Sequence, residues 1–193
     1  TIGGGEILDP LPAKHKRSAT EVREELIRLS GADAGARVGA IMARAGIGGI
    51  TEARLVVRTG IRRSELRRLL ETMFSARKAV LVDREETRVL SGPVYDQFLG
   101  EIVSELAGYH ERFPLNEGLS REELRTTLRT AEDAGQKIFG MALRELEKKG
   151  AIVAEKEHIR LAGHQVRLQE DLEDLRGQLA GVYRGGGQTP PTM

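Results

Sequence analysis

The feature that most constrains how this chain can fold is an internal repeat of about seventy residues. Two β-rich runs joined by a charged turn, residues 79–82 and 87–90, predict a β-hairpin that follows a series of helices. The same order recurs, with a second hairpin predicted over residues 151–154 and 158–161. Equivalent positions lie 70 to 72 residues apart, as in the pairs Ala79/Ala151, Val89/Ile159 and Gly92/Gly163.

The order of elements within each repeat is that of a winged helix-turn-helix module: short helix, tight turn, longer helix and hairpin. We therefore predict a mainly α fold with short β-hairpins (α+β), built from tandem winged-helix modules. A third copy is predicted to begin at Gln169. Its apolar residues recur at helical spacing at Leu172, Leu175, Leu179 and Val182.

Short polar side chains mark the predicted helix starts, because their oxygens can accept from free N–H groups of the first turn. Ser18 or Thr20, Asp33 and Thr51 are such positions, and Ser64 lies near the start of the fourth helix. Ser120 is followed by Glu123, which is typical of a capping box. On the fourth helix one face carries the apolar residues Leu66, Leu69, Leu70, Met73 and Phe74.

Composition excludes several kinds of chemistry. The absence of cysteine excludes disulfides, thiolate nucleophiles and sulfur-ligated metals, and it fits a cytoplasmic setting. No apolar run approaches the ~20 residues that cross a bilayer, and no signal sequence is visible. None of His15, His110, His158 and His164 has a second ligand at helical i, i+4 spacing, so we predict no metal site. We expect no catalytic residues either.

The charge is unevenly distributed along the chain. Residues 1–91 hold 17 Lys and Arg against 12 Asp and Glu, whereas residues 92–193 hold 13 against 17. The first half is therefore the better candidate for contact with a polyanion. The alternative interpretation is that solvated helix faces simply differ in their charge.

The first ten residues contain the most distinctive motif. Thr1-Ile2-Gly3-Gly4-Gly5, closed by Asp9-Pro10, is typical of the end of a β-strand with a close backbone approach. A strand requires partners, and no Met precedes it, so we expect this chain to be part of a longer protein. The glycines are not followed by Gly-Lys-Ser/Thr, so a phosphate loop is not predicted.

The motif Thr-Ile-Gly-Gly-Gly-x-x-Leu-Asp-Pro, followed by Lys14-His15-Lys16-Arg17 and winged-helix repeats, resembles the bacterial selenocysteine-specific translation elongation factors. The resemblance covers the whole chain and implies four parts. Residues 1–17 would be the last strand of a missing β-barrel domain, over 1–9, and a linker. Residues 18–91 and 92–162 would be the first and second winged-helix modules, and 163–193 the truncated start of a third.

The resemblance also implies a function in protein biosynthesis. The intact factor would deliver selenocysteinyl-tRNA to the ribosome at a recoded stop codon, using GTP and Mg²⁺ in a domain upstream of this chain. A fourth winged-helix module, absent here, would grip the selenocysteine-insertion hairpin of the mRNA. This chain would be the non-catalytic arm that links the two, cytoplasmic and monomeric, with no cofactor of its own.

Basic residues around the fourth helix are the candidates for RNA contact, because a winged helix usually presents this helix to a nucleic acid groove. The set is Arg54, Arg58, Arg62, Arg63, Arg67, Arg68, Arg77 and Lys78. Lys14, Lys16 and Arg17 form a second, linker candidate, for which the alternative is a flexible charged linker. For the helix, the alternative is a solvated face or salt bridges between modules.

Two other functions are consistent with the sequence. A DNA-binding regulator with paired winged helices would use strongly basic recognition helices, but the second repeat mixes Lys and Arg with Glu145 and Glu147. A protein–protein scaffold would make no nucleic-acid contact. Salt dependence of RNA binding separates the scaffold from the other functions, because phosphate contacts weaken as salt rises.

Overall fold

The computed structural model describes residue 4 and residues 7–11, 20–31, 33–128, 132–155, 158–164 and 170–185. Its helices are α1 (Thr20–Ser30), α2 (Ala34–Arg44), α3 (Glu52–Thr59), α4 (Arg63–Ser75), α5 (Gly92–Arg112), α6 (Arg121–Thr127), α7 (Glu132–Lys148) and α8 (Glu170–Gly185). A single 3₁₀ turn, Gly46–Gly48, follows α2. The strands are β1 (Ile50–Thr51), β2 (Ala79–Asp83), β3 (Arg88–Ser91), β4 (Leu119–Ser120), β5 (Ile152–Ala154) and β6 (His158–Leu161).

The strands form two antiparallel three-stranded sheets, ordered β1-β3-β2 and β4-β6-β5. Both predicted hairpins are present, and the predicted α+β winged-helix fold is confirmed. Each sheet gains a third strand of two residues that sequence analysis did not predict. Ile50 pairs with Val89 in the first sheet, and Leu119 pairs with Ile159 in the second.

The two sheets repeat each other in backbone detail. Gly49 and Gly118 each precede a short first strand and lie against the carbonyl of the residue that pairs with it. A Cβ at Gly49 would lie 2.8 Å from the Val89 carbonyl oxygen, and one at Gly118 would lie 2.5 Å from that of Ile159. Only glycine fits so close to a neighbouring backbone.

The predicted helix caps at Asp33, Thr51 and Ser120 are present. Asp33 Oδ1 accepts from the Gly35 N–H at 2.9 Å, and the Thr51 hydroxyl accepts from the Arg54 N–H at 3.4 Å. The capping box closes in both directions, at 3.2 Å from the Glu123 N–H to Ser120 and 3.0 Å from the Ser120 N–H to Glu123. By contrast, α4 starts after Arg62 without a side-chain cap.

Two buried clusters form the cores, and the first sheet lies between them. Val89 is buried with residues of α2, α3 and α4, whereas Leu90, its neighbour in β3, is buried with residues of α5, α6 and α7. In β2, Ala79 and Leu81 belong to the first cluster, and Val80 and Val82 pack on the second. Successive strand residues point to opposite faces, so both faces of this hairpin contact a core.

The second sheet differs from the first in the residues of its central strand, because the polar residues His158 and Arg160 of β6 lie on either side of the buried Ile159 in the sequence.

The predicted domain boundaries remain a prediction. Gly4 and residues 7–11 are not in a strand, and a barrel strand over residues 1–9 would need partner strands from outside the described residues. On α8, which contains the predicted start of a third module, Leu175, Leu179 and Val182 are each about half exposed.

Candidate nucleic-acid interface

The fourth helix has an apolar face and a basic face. Leu66, Leu70 and Met73 are buried in the first core, four and three residues apart. On the other side Arg63, Arg67 and Arg68 are exposed, as the sequence predicted. This helix follows α3 after a turn at Gly60 and precedes the hairpin, which is the position of a recognition helix.

Two of these arginines contact the same carboxylate, a contact that the sequence analysis missed. Glu52, the first residue of α3, is 4% exposed. Its Oε1 lies 3.1 Å from the Nε atoms of both Arg63 and Arg67. The two arginine side chains remain 60% and 59% exposed. Glu52 thus accepts from the Nε–H of Arg67 and forms an ion pair with Arg63, and both guanidinium groups face solvent.

The ends of α4 carry the other predicted cations. Arg62 is exposed at the N-cap, and Arg77 and Lys78 are exposed just beyond the last turn. The Lys78 N–H donates to the Met73 carbonyl at 2.8 Å and the Arg77 N–H donates to that of Phe74 at 3.1 Å. This closure requires Arg77 to adopt a left-handed backbone, with φ of 54°.

Arg58 differs from these exposed cations. Arg58 is bound to Asp9 through Nε, 3.2 Å from both carboxylate oxygens, and its side chain is 11% exposed. The hydrogen bond from Arg58 lowers the pKa of Asp9, although burial of the carboxyl opposes the shift. Arg54 is exposed on α3. Lys14, Lys16 and Arg17 lie outside the described residues.

The hairpin between β2 and β3 is acidic at its turn. Glu85 and Glu86 are exposed, and Glu86 binds Arg88 at 2.7 Å. Asp83 binds Lys137 of α7, across the two repeats. This contact lowers the pKa of Asp83 and raises that of Lys137, in both cases chiefly through the hydrogen bond between them. The hairpin turn is therefore unsuited to an RNA backbone.

Where the two repeats meet, a cleft of about 380 Å³ opens between Phe74 and Leu81 on one side and Tyr95 and Glu145 on the other. Burial, with the adjacent Glu145 carboxylate second, raises the pKa of the Tyr95 hydroxyl. Glu145 is itself bound to Lys149 at 2.8 Å, which is the main cause of its lowered pKa. The cleft therefore carries a neutral phenol and a paired carboxylate.

Two histidines stack at the far end of the second repeat. The rings of His110 and His164 are 3.6 Å apart between centroids and 12° from parallel. Within the described parts of the chain, no group of three or more His, Cys, Asp or Glu residues could hold a metal ion. Among the helices that the structure describes, none is long and apolar enough to span a membrane.

Two small sheets, each with a hairpin after a recognition-type helix, define a tandem winged-helix protein. Residues 103–161 match the family model described as the winged helix of elongation factor SelB. Over 192 residues the chain is 31% identical to a selenocysteine-specific elongation factor of Desulfomicrobium baculatum. That alignment covers 100% of this chain and 30% of the relative.

These matches confirm the family resemblance that the sequence indicated. Residues 103–161 are similar to the winged helix of elongation factor SelB, and the whole chain is similar to a part of a selenocysteine-specific elongation factor. The chain spans less than a third of the length of that relative.

Proposed function

We propose that this chain is the non-catalytic, rigid arm of a selenocysteine-specific elongation factor. The arm would hold the GTP- and tRNA-binding body of the factor at a fixed angle to the module that binds the mRNA hairpin. The observation that carries the proposal is the first sheet, which has one face in each of the two cores. A sheet buried on both faces resists reorientation of its neighbours, because moving either would expose apolar surface.

The connection between the two repeats supports a fixed angle. Strand β3 ends at Ser91 and α5 begins at Gly92, so no linker separates them. A Cβ at Gly92 would lie 2.0 Å from the carbonyl oxygen of Arg77, so the start of α5 lies directly against the end of α4. Leu90 is fully buried among residues of the second repeat.

The whole factor's activity is proposed from its relative, since the relative is named a selenocysteine-specific elongation factor. GTP and Mg²⁺ would bind in a part of the factor outside this chain. The partners would be the ribosome, selenocysteinyl-tRNA and the mRNA insertion hairpin, in the cytoplasm. This chain would bring the two RNA-binding ends of the factor to a set separation, and it would carry out no chemistry.

Distance measurements between paired spin labels test the rigidity. The chain has no cysteine, so two introduced cysteines are the only labelled sites. One pair, at Glu71 and Arg121, spans the repeats, and a control pair at Ala53 and Glu71 lies within the first; all of these positions are exposed.

We expect the distance distribution of the spanning pair to be as narrow as that of the control pair. A broad or multi-peaked distribution for the spanning pair alone would show that the repeats reorient, and the rigid-arm function would be wrong.

A further inference from the structure

We propose that Glu52 is a positioning residue that prepares Arg63 and Arg67 to bind phosphate groups of an RNA backbone. The choice of RNA rests on the proposed function in translation. The geometry of the site rests on the contacts between these three side chains. Nothing in the family comparison assigns a role to any of them.

The position of Glu52 explains why it requires these partners. Its side chain is 5% exposed, and a carboxylate removed from water is costly unless it is paired with donors. As the first residue of α3 it also lies near the positive end of that helix's dipole. Both arginines come from α4, so the carboxylate joins the first turn of one helix to the face of the next.

The two arginines are arranged as a pair. They lie four residues apart, which places them on one face of α4. Both approach Glu52 through Nε at 3.1 Å. The Arg67 Nε–H donates to both carboxylate oxygens of Glu52, whereas Arg63 forms an ion pair with the same carboxylate, and neither guanidinium has another partner among the described residues. The terminal amino groups are then the donors that can bind an anion, as arginine binds phosphate.

The surroundings favour the phosphate backbone over unpaired bases. Arg54 of α3, Arg62 at the N-cap of α4 and Arg68 of α4 are also exposed, which gives a basic surface. No aromatic residue occurs in α3, and the only one in α4, Phe74, is partly buried on the apolar side. Recognition of unstacked bases uses exposed aromatic side chains, so this surface fits phosphates instead.

A positioning role for Glu52 and simple electrostatics predict opposite effects on RNA affinity when the charge of Glu52 is removed. Removing a negative charge beside a basic surface should strengthen RNA binding if charge alone matters. If Glu52 positions the arginines, removing its charge lets both side chains regain their freedom, and each then loses rotamer entropy on binding. The variant Glu52→Gln therefore separates the two explanations, and Glu65→Gln, an exposed residue of α4, is the matched charge control.

The experiment measures fluorescence anisotropy of a labelled RNA hairpin of unrelated sequence, titrated with the full chain at about 50 mM salt, where phosphate contacts are strong. We expect Glu52→Gln to weaken binding about three- to ten-fold and Glu65→Gln to strengthen it slightly. If Glu52→Gln strengthens binding as much as Glu65→Gln does, Glu52 is only a competing charge and the proposal is wrong.

Thermal unfolding of each variant shows whether it is folded at the titration temperature. A second measurement, on Arg67→Gln, does not depend on Glu52→Gln being folded. The slope of the logarithm of the RNA association constant against the logarithm of salt concentration should fall in magnitude by about 0.7–0.9 for one lost phosphate contact. An unchanged slope would overturn the site.

Two other ligands test the choice of RNA. If the chain binds polyglutamate as tightly as it binds the RNA hairpin, the surface is one for an acidic protein. If it binds duplex DNA more tightly than the RNA hairpin, the surface is one for DNA. These outcomes leave the spin-label test of the rigid arm unaffected.

Discussion

Arg77 and Gly150 hold the same place in the two repeats, directly after the long helices α4 and α7. Each has a left-handed backbone, with φ of 54° at Arg77 and 69° at Gly150. In both, the next N–H donates back to the last turn: Lys78 to Met73 at 2.8 Å and Ala151 to Leu146 at 2.9 Å. Glycine adopts this conformation without strain, whereas a residue with a Cβ pays about 1–2 kcal/mol.

Replacing Arg77 by glycine should therefore stabilise the protein. The relief of strain exceeds the entropy that glycine adds to the unfolded chain, so we expect the free energy of unfolding to rise by about 0.5–1 kcal/mol. Urea denaturation measures this change. Arg77→Ala is the control, because it also removes the side chain near Glu145 but keeps the strained Cβ, and it should give no gain.

At the same scale, burial explains why Glu52, rather than another carboxylate, pairs with the arginines on the exposed face of α4. The sequence shows Glu52 as one charged residue after an N-cap threonine, indistinguishable from the exposed Glu65. Its contacts with Arg63 and Arg67 arise only when α3 packs across α4. A partial signal exists in the two arginines spaced four apart, but nothing local identifies their partner.

At the scale of elements, His110 joins the end of α5 to β6. Its Nε2 accepts a hydrogen bond from the Leu161 N–H at 3.3 Å, and the residue is 8% exposed. Burial is the main cause of its lowered pKa, followed by the facing His164 and then by Arg160. Protonation would remove the acceptor and place a cation in the site, so the contact requires neutral histidine.

The stability of the protein should therefore fall as the pH drops below about 6.5, the ordinary pKa of histidine in an unfolded chain. A lowered folded-state pKa means that the unfolded chain binds the proton first, and the loss continues down to the folded pKa. The slope contributed by His110 is at most about 1.4 kcal/mol per pH unit. Urea denaturation between pH 5 and pH 7.5 measures it.

The variant His110→Gln keeps a side-chain acceptor without the titration, so it should show a shallower decrease over the same pH range. Equal decreases in the two proteins would mean that other groups cause the pH dependence and that the Leu161 contact is not sensitive to protonation.

At the scale of the whole molecule, the recognition helices of the two repeats differ in the basic charge that they leave unpaired. In the second repeat Lys137 is bound to Asp83 and Lys149 to Glu145, so these cations are paired within the protein. We therefore expect RNA to contact chiefly the first repeat, and to do so through its phosphate groups. Such contacts carry little sequence information.

We expect this chain to bind a selenocysteine-insertion hairpin no more tightly than a random hairpin of equal length. Competition of the two unlabelled RNAs against one labelled hairpin measures the ratio of affinities, which should be close to one. A preference of about ten-fold or more for the insertion hairpin, or 1.4 kcal/mol, would place specific recognition within these two modules.

The sequence does not distinguish the shared sheet from the second sheet. Residues 79–82 and 151–154 are both apolar without alternation, and the second run of each hairpin contains an arginine, Arg88 or Arg160. Only the packing of the second repeat against the first hairpin places Val80 and Val82 on the second core.

The amino-acid sequence by itself determined the helices, the caps at Asp33, Thr51 and Ser120, both hairpins and the seventy-residue repeat, because these depend on spacing and capping among near neighbours. Only the tertiary structure decided the short strands β1 and β4, the contacts of Glu52 with Arg63 and Arg67, and the placement of one sheet between two cores. Each of these joins residues far apart in the chain. The packing of elements creates such contacts, and no local pattern encodes them.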